Sequence, residues 1–300
     1  MIVFPNCKIN LGLHILNKRE DGYHNLETIF YPLPLRDALE IILRDDGRRT
    51  TDDKTLSGGK ILSEVEGSAG VIERSRDNDV NFSSTGLQIA GDEVNNLCIK
   101  SYHLLKKDFP TLPPIQMHLH KAIPMGAGLG GGSADGAFAL KLLNDKFQLG
   151  LSIQQLIDYA LQLGSDCPFF IINKPCYATS RGEILESVYL DLSSYKFVIV
   201  NPGIHVNTGW AFAQLQLNNS DRPDLKQIIR QPVSTWKDQL INDFEEPVCK
   251  AHPEIANIKQ QLYHAGALYT SMTGSGSTVF GIFEKEPELI FDEKYFYKAV

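Results

Sequence analysis

The stretch Pro-Met-Gly-Ala-Gly-Leu-Gly-Gly-Gly-Ser-Ala-Asp-Gly, residues 124–136, has five glycines in the seven positions 126–132. Without Cβ atoms, such a loop can turn several backbone N–H groups toward one anion. Residues 114–123 before it alternate as a strand does, and residues 133–147 after it carry apolar side chains at helical spacing. The N-terminus of that helix adds partial positive charge. The stretch therefore predicts a strand, a phosphate-binding loop and a helix.

Three common phosphate-binding patterns do not fit this loop. A Walker loop needs Gly-Lys-Ser/Thr, and no lysine follows these glycines. Gly126, Gly128 and Gly131 match G-x-G-x-x-G, but a dinucleotide fold also needs a second strand ending in an acid. Residues 151–163 instead predict a helix, opened by a Ser152-x-x-Gln155 capping box. The protein-kinase patterns V-A-I-K, H-R-D and D-F-G are absent.

Toward the N-terminus, residues 8–15, Lys-Ile-Asn-Leu-Gly-Leu-His-Ile, alternate strictly between apolar and polar. They predict a half-buried strand whose polar face carries Lys8, Asn10 and His14. Further strands are predicted at 26–30 and 38–43. Residues 45–81 are polar and aperiodic, which predicts a mobile loop or insertion.

The rest of the chain mixes both kinds of element. Helices are predicted after Asn96, after Thr208 as an N-cap, and over 237–249 and 253–265; strands are predicted at 196–200, 267–273 and 277–283. Because the strands and helices do not alternate regularly, the sequence predicts an α+β fold. A length of 300 residues suggests about two domains.

Composition excludes several classes of protein. The formal net charge is −7, with 29 Lys plus Arg against 36 Asp plus Glu, and we find no basic patch for nucleic acid. No signal peptide and no unbroken apolar run are present, so we expect a cytoplasmic protein with no membrane association. Five scattered cysteines predict reduced, mostly buried thiols. His118-x-His120 has a metal-like spacing, but a solvated strand face is the better interpretation.

Five motifs together resemble the GHMP small-molecule kinases. They are Pro5-Asn6-Cys7-Lys8-Ile9-Asn10-Leu11, Asp21-Gly22-Tyr23-His24, the glycine-rich loop, Leu163-Gly164-Ser165-Asp166-Cys167-Pro168 and Thr273-Gly274-Ser275-Gly276. The resemblance covers about residues 2–283 except 45–81, and Cys7 stands where an alanine is more usual. It implies two domains with the active site between them. Residues 1–178 would form the nucleotide-binding α/β domain and residues 179–300 a ferredoxin-like C-terminal domain.

The resemblance also implies the phosphoryl donor and its site. ATP would bind to the glycine-rich loop, with Asn96, Leu97 and Lys121 near the nucleoside. The implied loop residues are Pro124, Met125, Gly126, Ala127, Gly128, Leu129, Gly130, Gly131, Gly132, Ser133 and Ala134. Ser133 is also a candidate contact for Mg²⁺, which bridges phosphate oxygens in kinases.

Two charged residues are implied in catalysis. Asp166 would take the proton from the acceptor hydroxyl, and Lys8 would lie beside it. An aspartate is a weak base at neutral pH, which suits phosphoryl transfer, because its loose transition state lets the proton move late. Lys8 would offset the negative charge on the transferring group.

The implied acceptor is a cytidine diphosphate alcohol used in isoprenoid precursor synthesis. Its candidate binding residues are Asn10, Tyr23, His24, Phe30, Thr208, Phe212, Gly274 and Ser275. Three alternatives stay open: a mevalonate- or homoserine-type kinase of the same family, a sensor that binds nucleotide and sugar without turnover, and a dinucleotide-dependent oxidoreductase.

Overall fold

The structure, a computed structural model, describes residues 1–44, 79–89, 92–215 and 222–300. Most of the predicted insertion, residues 45–78, lies outside the described residues. Its last two residues, Val80 and Asn81, were expected in a loop but begin a strand, because they pair in parallel with residues 115 and 116 of the strand before the glycine-rich loop.

The strands are β1 (Ile2–Val3), β2 (Asn6–Lys18), β3 (His24–Arg36), β4 (Ala38–Leu43), β5 (Val80–Gly86), β6 (Ile115–Lys121), β7 (Cys176–Ser180), β8 (Ile184–Ser187), β9 (Lys196–Asn201), β10 (Tyr269–Met272), β11 (Val279–Phe283) and β12 (Phe296–Ala299). The helices are α1 (Leu97–Asp108), α2 (Gly131–Phe147), α3 (Ile153–Leu163), α4 (Cys167–Ile172), α5 (Thr208–Ala213), α6 (Leu225–Ile228), α7 (Glu245–Ala251) and α8 (Pro253–His264). Among these described helices, none combines the length and the apolar character that a membrane crossing requires.

The described residues form three four-stranded sheets, in the orders β1-β4-β6-β5, β2-β3-β7-β8 and β10-β11-β9-β12. Helices α1 to α4 and the first sheet enclose one apolar core. A second core lies between the second and third sheets, and a third core lies between the third sheet and α5, α7 and α8. This arrangement is the α+β architecture expected from the sequence. Strand β7 runs across residue 178, where the sequence analysis divided the chain, and β8 joins the same sheet.

Strand β2 departs from its prediction in one respect. Both of its faces are buried from Asn6 to Ile15, where the sequence predicted one polar face in water. The polar side chains are buried with partners: Asn10 bonds to Thr28 and Thr273, and His14 bonds to Glu27. Because buried polar groups need hydrogen bonds, these pairs allow a strand of alternating sequence to lie between two packed layers.

Several boundaries in the C-terminal half also differ. The helix predicted over 237–249 is wrong, since α7 begins only at Glu245. The side-chain amide of Asn242 donates to the carbonyls of Met272 and Gly274, at 2.7 and 2.9 Å, and this tertiary contact holds the preceding segment in turns. The N-cap of α5 is Asn207, which accepts from the Trp210 N–H, and Thr208 is the first helical residue.

Other boundaries agree with the sequence. The Asn96 side chain caps α1, the capping box opens α3, and α8 begins at Pro253. The short elements α4, β7, β8 and β12 were not predicted. Each has only four to six residues, which is too short for a periodic pattern to stand out.

Candidate active site

The glycine-rich loop connects β6 to α2. Gly126, Gly128 and Gly130 have φ values of 62°, 79° and 70°, in the left-handed region that glycine enters at low cost. Helix α2 begins at Gly131, two residues before its predicted start, and no side chain caps it. Its first N–H groups are therefore available to an anion at the positive end of a 17-residue helix.

A cleft of about 610 Å³ opens beside this loop. Eight of the predicted ATP-binding loop residues line it: Met125, Gly126, Ala127, Gly128, Gly130, Gly131, Gly132 and Ser133. Of the described loop residues, Pro124, Leu129 and Ala134 lie outside the lining. Leu129 is buried, and its carbonyl accepts the Lys8 N–H at 2.9 Å, which fixes the loop to β2.

Lys8 and Asp166 face each other in the cleft. The Lys8 Nζ lies 3.6 Å from Asp166 Oδ2 and donates to Asn10 Oδ1 at 2.6 Å. The Lys8 side chain is 4% exposed and that of Asp166 is 34% exposed. Burial lowers the pKa of Lys8, and the nearby Asp166 carboxylate opposes this shift. A buried cation therefore adjoins a carboxylate that a substrate can reach.

Asp166 is held at the start of α4, with Pro168 in the first turn. Its side chain makes no capping hydrogen bond to that helix. The carboxylate is therefore not engaged in capping α4, and it faces the cleft. A short helix whose core residues are fully buried gives the carboxylate a rigid base.

Asn96 and Leu97 line the same cleft, together with Ser84, Ile89 and Asp92. Asn96 Oδ1 accepts the Cys98 N–H at 2.9 Å, so this side chain also caps α1. Asn96 and Leu97, the residues expected near the nucleoside, thus lie in the cleft lining where α1 begins.

Lys121 was expected near the nucleoside, but the structure buries it beneath the loop. Its ammonium donates to the Asp37 carboxylate and, at 2.8 Å, to Asp135 Oδ2. Asp37 also accepts the N–H groups of Ala122 and Ile123, at 2.6 and 2.9 Å. This charged group of Asp37, Lys121 and Asp135 ties β6 to the start of α2, below the cleft floor.

Sequence reasoning did not identify Asp37 or Asp135. Burial raises the pKa of Asp135 to about 8, and its Oδ1 has no partner among the described residues. Two buried carboxylates share one lysine, and a proton on Asp135 relieves the net negative charge of the group. The only sequence signal was for Asp135, an aspartate three positions after the last glycine of the loop, Gly132.

A second cleft, of about 860 Å³, adjoins the first. Both clefts are lined by Leu26, Gly164, Ser165, Arg181, Thr208 and Phe212. Tyr23 and His24 line the second cleft, whereas Asn10, Phe30, Gly274 and Ser275 line the first. The predicted acceptor residues therefore surround two connected clefts, and Asp166 lies in the first of them.

Aromatic rings define the second cleft. The His24 ring stacks on Phe212 with centroids 4.5 Å apart and an interplanar angle of 14°. Burial lowers the pKa of His24, helped by the charge of Lys18. The Arg181 guanidinium lies 4.9 Å from the centroid of the Tyr23 ring. Flat faces of this kind suit a planar heterocycle. Arg181 was not singled out by the sequence, where its neighbours form no recognisable motif.

The loop after β10 closes the first cleft. The Thr273 Oγ1 accepts the Asn10 N–H at 3.0 Å, and the Gly274 N–H donates to Asn10 Oδ1 at 3.0 Å. The Thr208 and Ser275 hydroxyls lie 3.0 Å apart. The fifth motif, Thr273–Gly276, thus contacts the first motif directly, across 263 residues of sequence.

No cluster of three or more metal-ligating side chains occurs in the part of the chain that the structure describes. His118 Nδ1 pairs with the Ser83 hydroxyl at 2.9 Å, and His120 Nδ1 pairs with Thr85 at 3.0 Å. These histidines therefore pair with the neighbouring strand β5. Ser133, the candidate Mg²⁺ contact, lines the cleft in the first turn of α2.

Comparisons with known proteins agree on one family. The family model for the GHMP kinases N terminal domain matches residues 96–174, and the model for the GHMP kinases C terminal domain matches residues 217–294. A 4-diphosphocytidyl-2-C-methyl-D-erythritol kinase of Bacteroides fragilis strain YCH46 is 48% identical over 96% of this chain and 94% of its own. The protein of the same name from Cytophaga hutchinsonii is 45% identical over the same shares.

Solved structures give the same result. A crystal structure of 4-(cytidine 5'-diphospho)-2C-methyl-D-erythritol kinase superposes with a TM-score of 0.71 at 26% identity, covering 94% of this chain and 90% of that one. The mevalonate kinase of Methanococcus jannaschii superposes with a TM-score of 0.62 at 12% identity, covering the same shares. The second likeness concerns the fold alone.

Proposed function

Since this chain belongs to the 4-diphosphocytidyl-2-C-methyl-D-erythritol kinases of the GHMP kinase family, we propose that it transfers the γ-phosphoryl group of ATP to the 2-hydroxyl of 4-diphosphocytidyl-2-C-methyl-D-erythritol. This reaction belongs to the non-mevalonate pathway of isoprenoid precursor synthesis. The observation that carries the proposal is the Lys8–Asp166 pair, 3.6 Å apart, in the cleft that the glycine-rich loop borders. Asp166 is the proposed proton acceptor, and Lys8 places a positive charge between it and the proposed phosphate site.

We propose that the ATP phosphates lie against the loop residues 125–133, with the nucleoside toward Asn96 and Leu97. The uncapped start of α2 supports this orientation, because free N–H groups and the helix dipole favour negative charge there. Lys121 supports the loop from below through Asp37 and Asp135. Gly128 keeps the loop against the Thr273 backbone, which holds the phosphate site next to the acceptor side.

In the proposed mechanism, Asp166 accepts the proton of the 2-hydroxyl as that oxygen attacks the γ-phosphorus. The P–O bond to ADP breaks, and ADP leaves with the electron pair of that bond. Lys8 stabilises the negative charge on the transferring group, and Asn10 holds the Lys8 ammonium in place at 2.6 Å. Most of the rate enhancement comes from positioning and charge, because the loose transition state needs little base strength.

Mg²⁺ is part of this proposal, with Ser133 as its protein contact. When bound, the ion would offset negative charge on the ATP phosphates. The hydroxyl of Ser133 is a hard oxygen donor at the positive end of α2, beside the proposed phosphate site, and this donor fits a cation that keeps most of its other ligands from ATP and water.

The acceptor proposal places cytosine in the second cleft, between Tyr23, His24 and Phe212. Asn10, Phe30, Thr208, Gly274 and Ser275 then border the path from that cleft to Asp166.

We also propose that the two domains are residues 1–178 and 179–300, and that the protein is located in the cytoplasm, where ATP is available. None of the five cysteines, all within the described residues, forms a disulfide, as suits a reducing compartment.

A coupled ADP-release assay with ATP and Mg²⁺ tests the function. It compares 4-diphosphocytidyl-2-C-methyl-D-erythritol, mevalonate and homoserine as acceptors. We expect turnover with the cytidyl substrate alone. Turnover with another acceptor would overturn the assignment of substrate, and ATP binding without turnover of any acceptor would favour the nucleotide sensor. Binding of NAD in place of ATP would favour an oxidoreductase.

A further inference from the structure

Arg181 occupies the junction between the two clefts. It follows directly after β7 and lines both the first cleft, with Asp166, and the second cleft, with Tyr23 and His24. Of the six residues that border both clefts, Arg181 alone carries a positive charge. A ligand that spans the two clefts must therefore pass this guanidinium.

The Arg181 side chain is held in place from two sides. Its Nε lies 3.3 Å from Glu183 Oε1, and the guanidinium lies 4.9 Å from the Tyr23 ring centroid. Among the described residues, its two terminal nitrogens have no hydrogen-bond partner. The side chain is 35% exposed. The two terminal nitrogens, whose forked geometry suits a pair of anionic oxygens, are thus held in orientation and can still donate to a ligand.

The backbone around Arg181 is also fixed close to the reacting carboxylate. Ser180 has a φ of 64°, and its hydroxyl accepts from Arg19 Nη1 at 2.9 Å and lies 3.2 Å from Glu183. A Cβ on Gly182 would lie 3.6 Å from Asp166 Oδ1. The loop that carries Arg181 therefore adjoins Asp166 directly.

We propose that Arg181 binds the diphosphate of the acceptor and so determines the preference for a nucleoside diphosphate alcohol. This inference rests on the proposed function, in which the base lies in the second cleft and the alcohol lies at Asp166. The diphosphate connects these two parts, so its charges fall at the junction. The terminal nitrogens of Arg181 meet them there, while Glu183 and Tyr23 hold the guanidinium in orientation.

The test compares the wild type with Arg181→Gln, Arg181→Lys and Arg19→Gln. Arg19 contacts the same loop through Ser180 but lines neither cleft, so its variant is the matched control for loss of a positive charge. We expect Arg181→Gln to raise KM for the cytidyl substrate by about 10- to 100-fold, as for loss of a charged hydrogen bond, with KM for ATP unchanged. Arg181→Lys should recover part of the loss, and Arg19→Gln, which loosens the loop but keeps the Arg181 guanidinium, should raise this KM much less than Arg181→Gln does.

Binding measurements with cytidine and CDP separate this inference from the proposed function, because they need no turnover. We expect the wild type to bind CDP more tightly than cytidine, and Arg181→Gln to lose that advantage while it binds cytidine as before. Equal weakening of cytidine and CDP would overturn the inference, since Arg181 would then act only through the Tyr23 ring. An unchanged KM, or a wild type that binds CDP no better than cytidine, would also overturn it. Failure of the wild type to phosphorylate the cytidyl substrate would overturn the proposed function.

Discussion

Gly128 and Thr273 touch through their backbones: a Cβ on Gly128 would lie 2.0 Å from the Thr273 carbonyl oxygen. The Thr273 hydroxyl also donates to the Gly128 carbonyl at 3.1 Å. This contact joins the phosphate-binding loop to the loop after β10, which otherwise belongs to a different sheet. The two loops therefore form one continuous wall of the proposed site, and any side chain at position 128 would separate them.

We expect Gly128→Ala to lower the free energy of unfolding by more than about 2 kcal/mol and to weaken ATP binding, because the new methyl group must displace the Thr273 backbone. Urea unfolding and nucleotide titration measure both effects. Gly150→Ala is the control, since Gly150 has a similar φ of 74° but open space around its Cβ position. Equal effects of the two substitutions would mean that backbone strain, and not the contact with Thr273, explains the loss.

Replacing the proposed proton acceptor tests the mechanism. We expect Asp166→Asn to reduce kcat by about two orders of magnitude or more, because the amide cannot take the hydroxyl proton, while ATP binds nearly as before. Steady-state kinetics and a nucleotide titration give the two values. Turnover close to that of the wild type would remove Asp166 from this role.

Lys8 should reduce the stability of the protein while it supports the reaction. Its folded pKa is lowered below the ordinary 10.5 by burial, so its charged form opposes folding at neutral pH. This cost is fully present below the folded pKa and disappears as the pH rises from there to 10.5. We expect Lys8→Met to unfold at higher urea than the wild type at pH 7, with a gap that narrows at alkaline pH, and to lose at least about 100-fold in kcat.

The Met variant still leaves Asn10 Oδ1 with a partner, because that oxygen accepts from the Gly274 N–H at 3.0 Å. Urea unfolding of both proteins between pH 7 and pH 10 measures the effect. A Met variant less stable than the wild type at pH 7 would show that the contacts of Lys8 with Asn10 and Asp166 outweigh the cost of burying it. As the pH is raised, kcat/KM of the wild type should begin to fall before pH 10.5 is reached, because Lys8 loses its proton there.

The predicted insertion should be dispensable. On the two sides of residues 45–78, Leu43 and Val80 pair with the same residue, Ile115, from opposite edges of β6. They are therefore about 10 Å apart, or two strand spacings, which a few residues can bridge. We expect deletion of residues 48–76 to leave the kinase activity and the circular dichroism spectrum close to those of the full chain. Lost activity in a variant that still folds would assign the insertion a role in the reaction.

The sequence predicted most of the elements that carry the site. The strand of Lys8, the helix capped by Asn96, the capping box at Ser152 and the strand-loop-helix unit at residue 124 all have strong local signals, and these elements are where they were expected. Their patterns are decided by neighbouring residues, through periodicity and capping. The resemblance then supplied the order in which the motifs meet, which spacing alone does not give.

The features that the sequence did not predict depend on contacts between distant segments. The burial of Lys121 follows from Asp37, which is 84 residues earlier in the chain. The turns before α7 follow from the bonds of Asn242 to Met272 and Gly274. Arg181 acquires its place only when β7 joins β3. Local propensity depends on neighbouring residues and not on such distant partners, so sequence patterns could not reveal these contacts.

The bond between Asn10 and Thr273 also constrains how the protein is made. A ribosome that adds about 5–20 residues per second needs roughly 13–50 s to pass from the first of these residues to the second. Throughout this time the buried polar groups of β2 lack the partner that closes the site. The nascent chain therefore cannot acquire a working phosphate pocket before synthesis is nearly finished, and truncated products that end before residue 273 should be inert toward ATP and open to proteases.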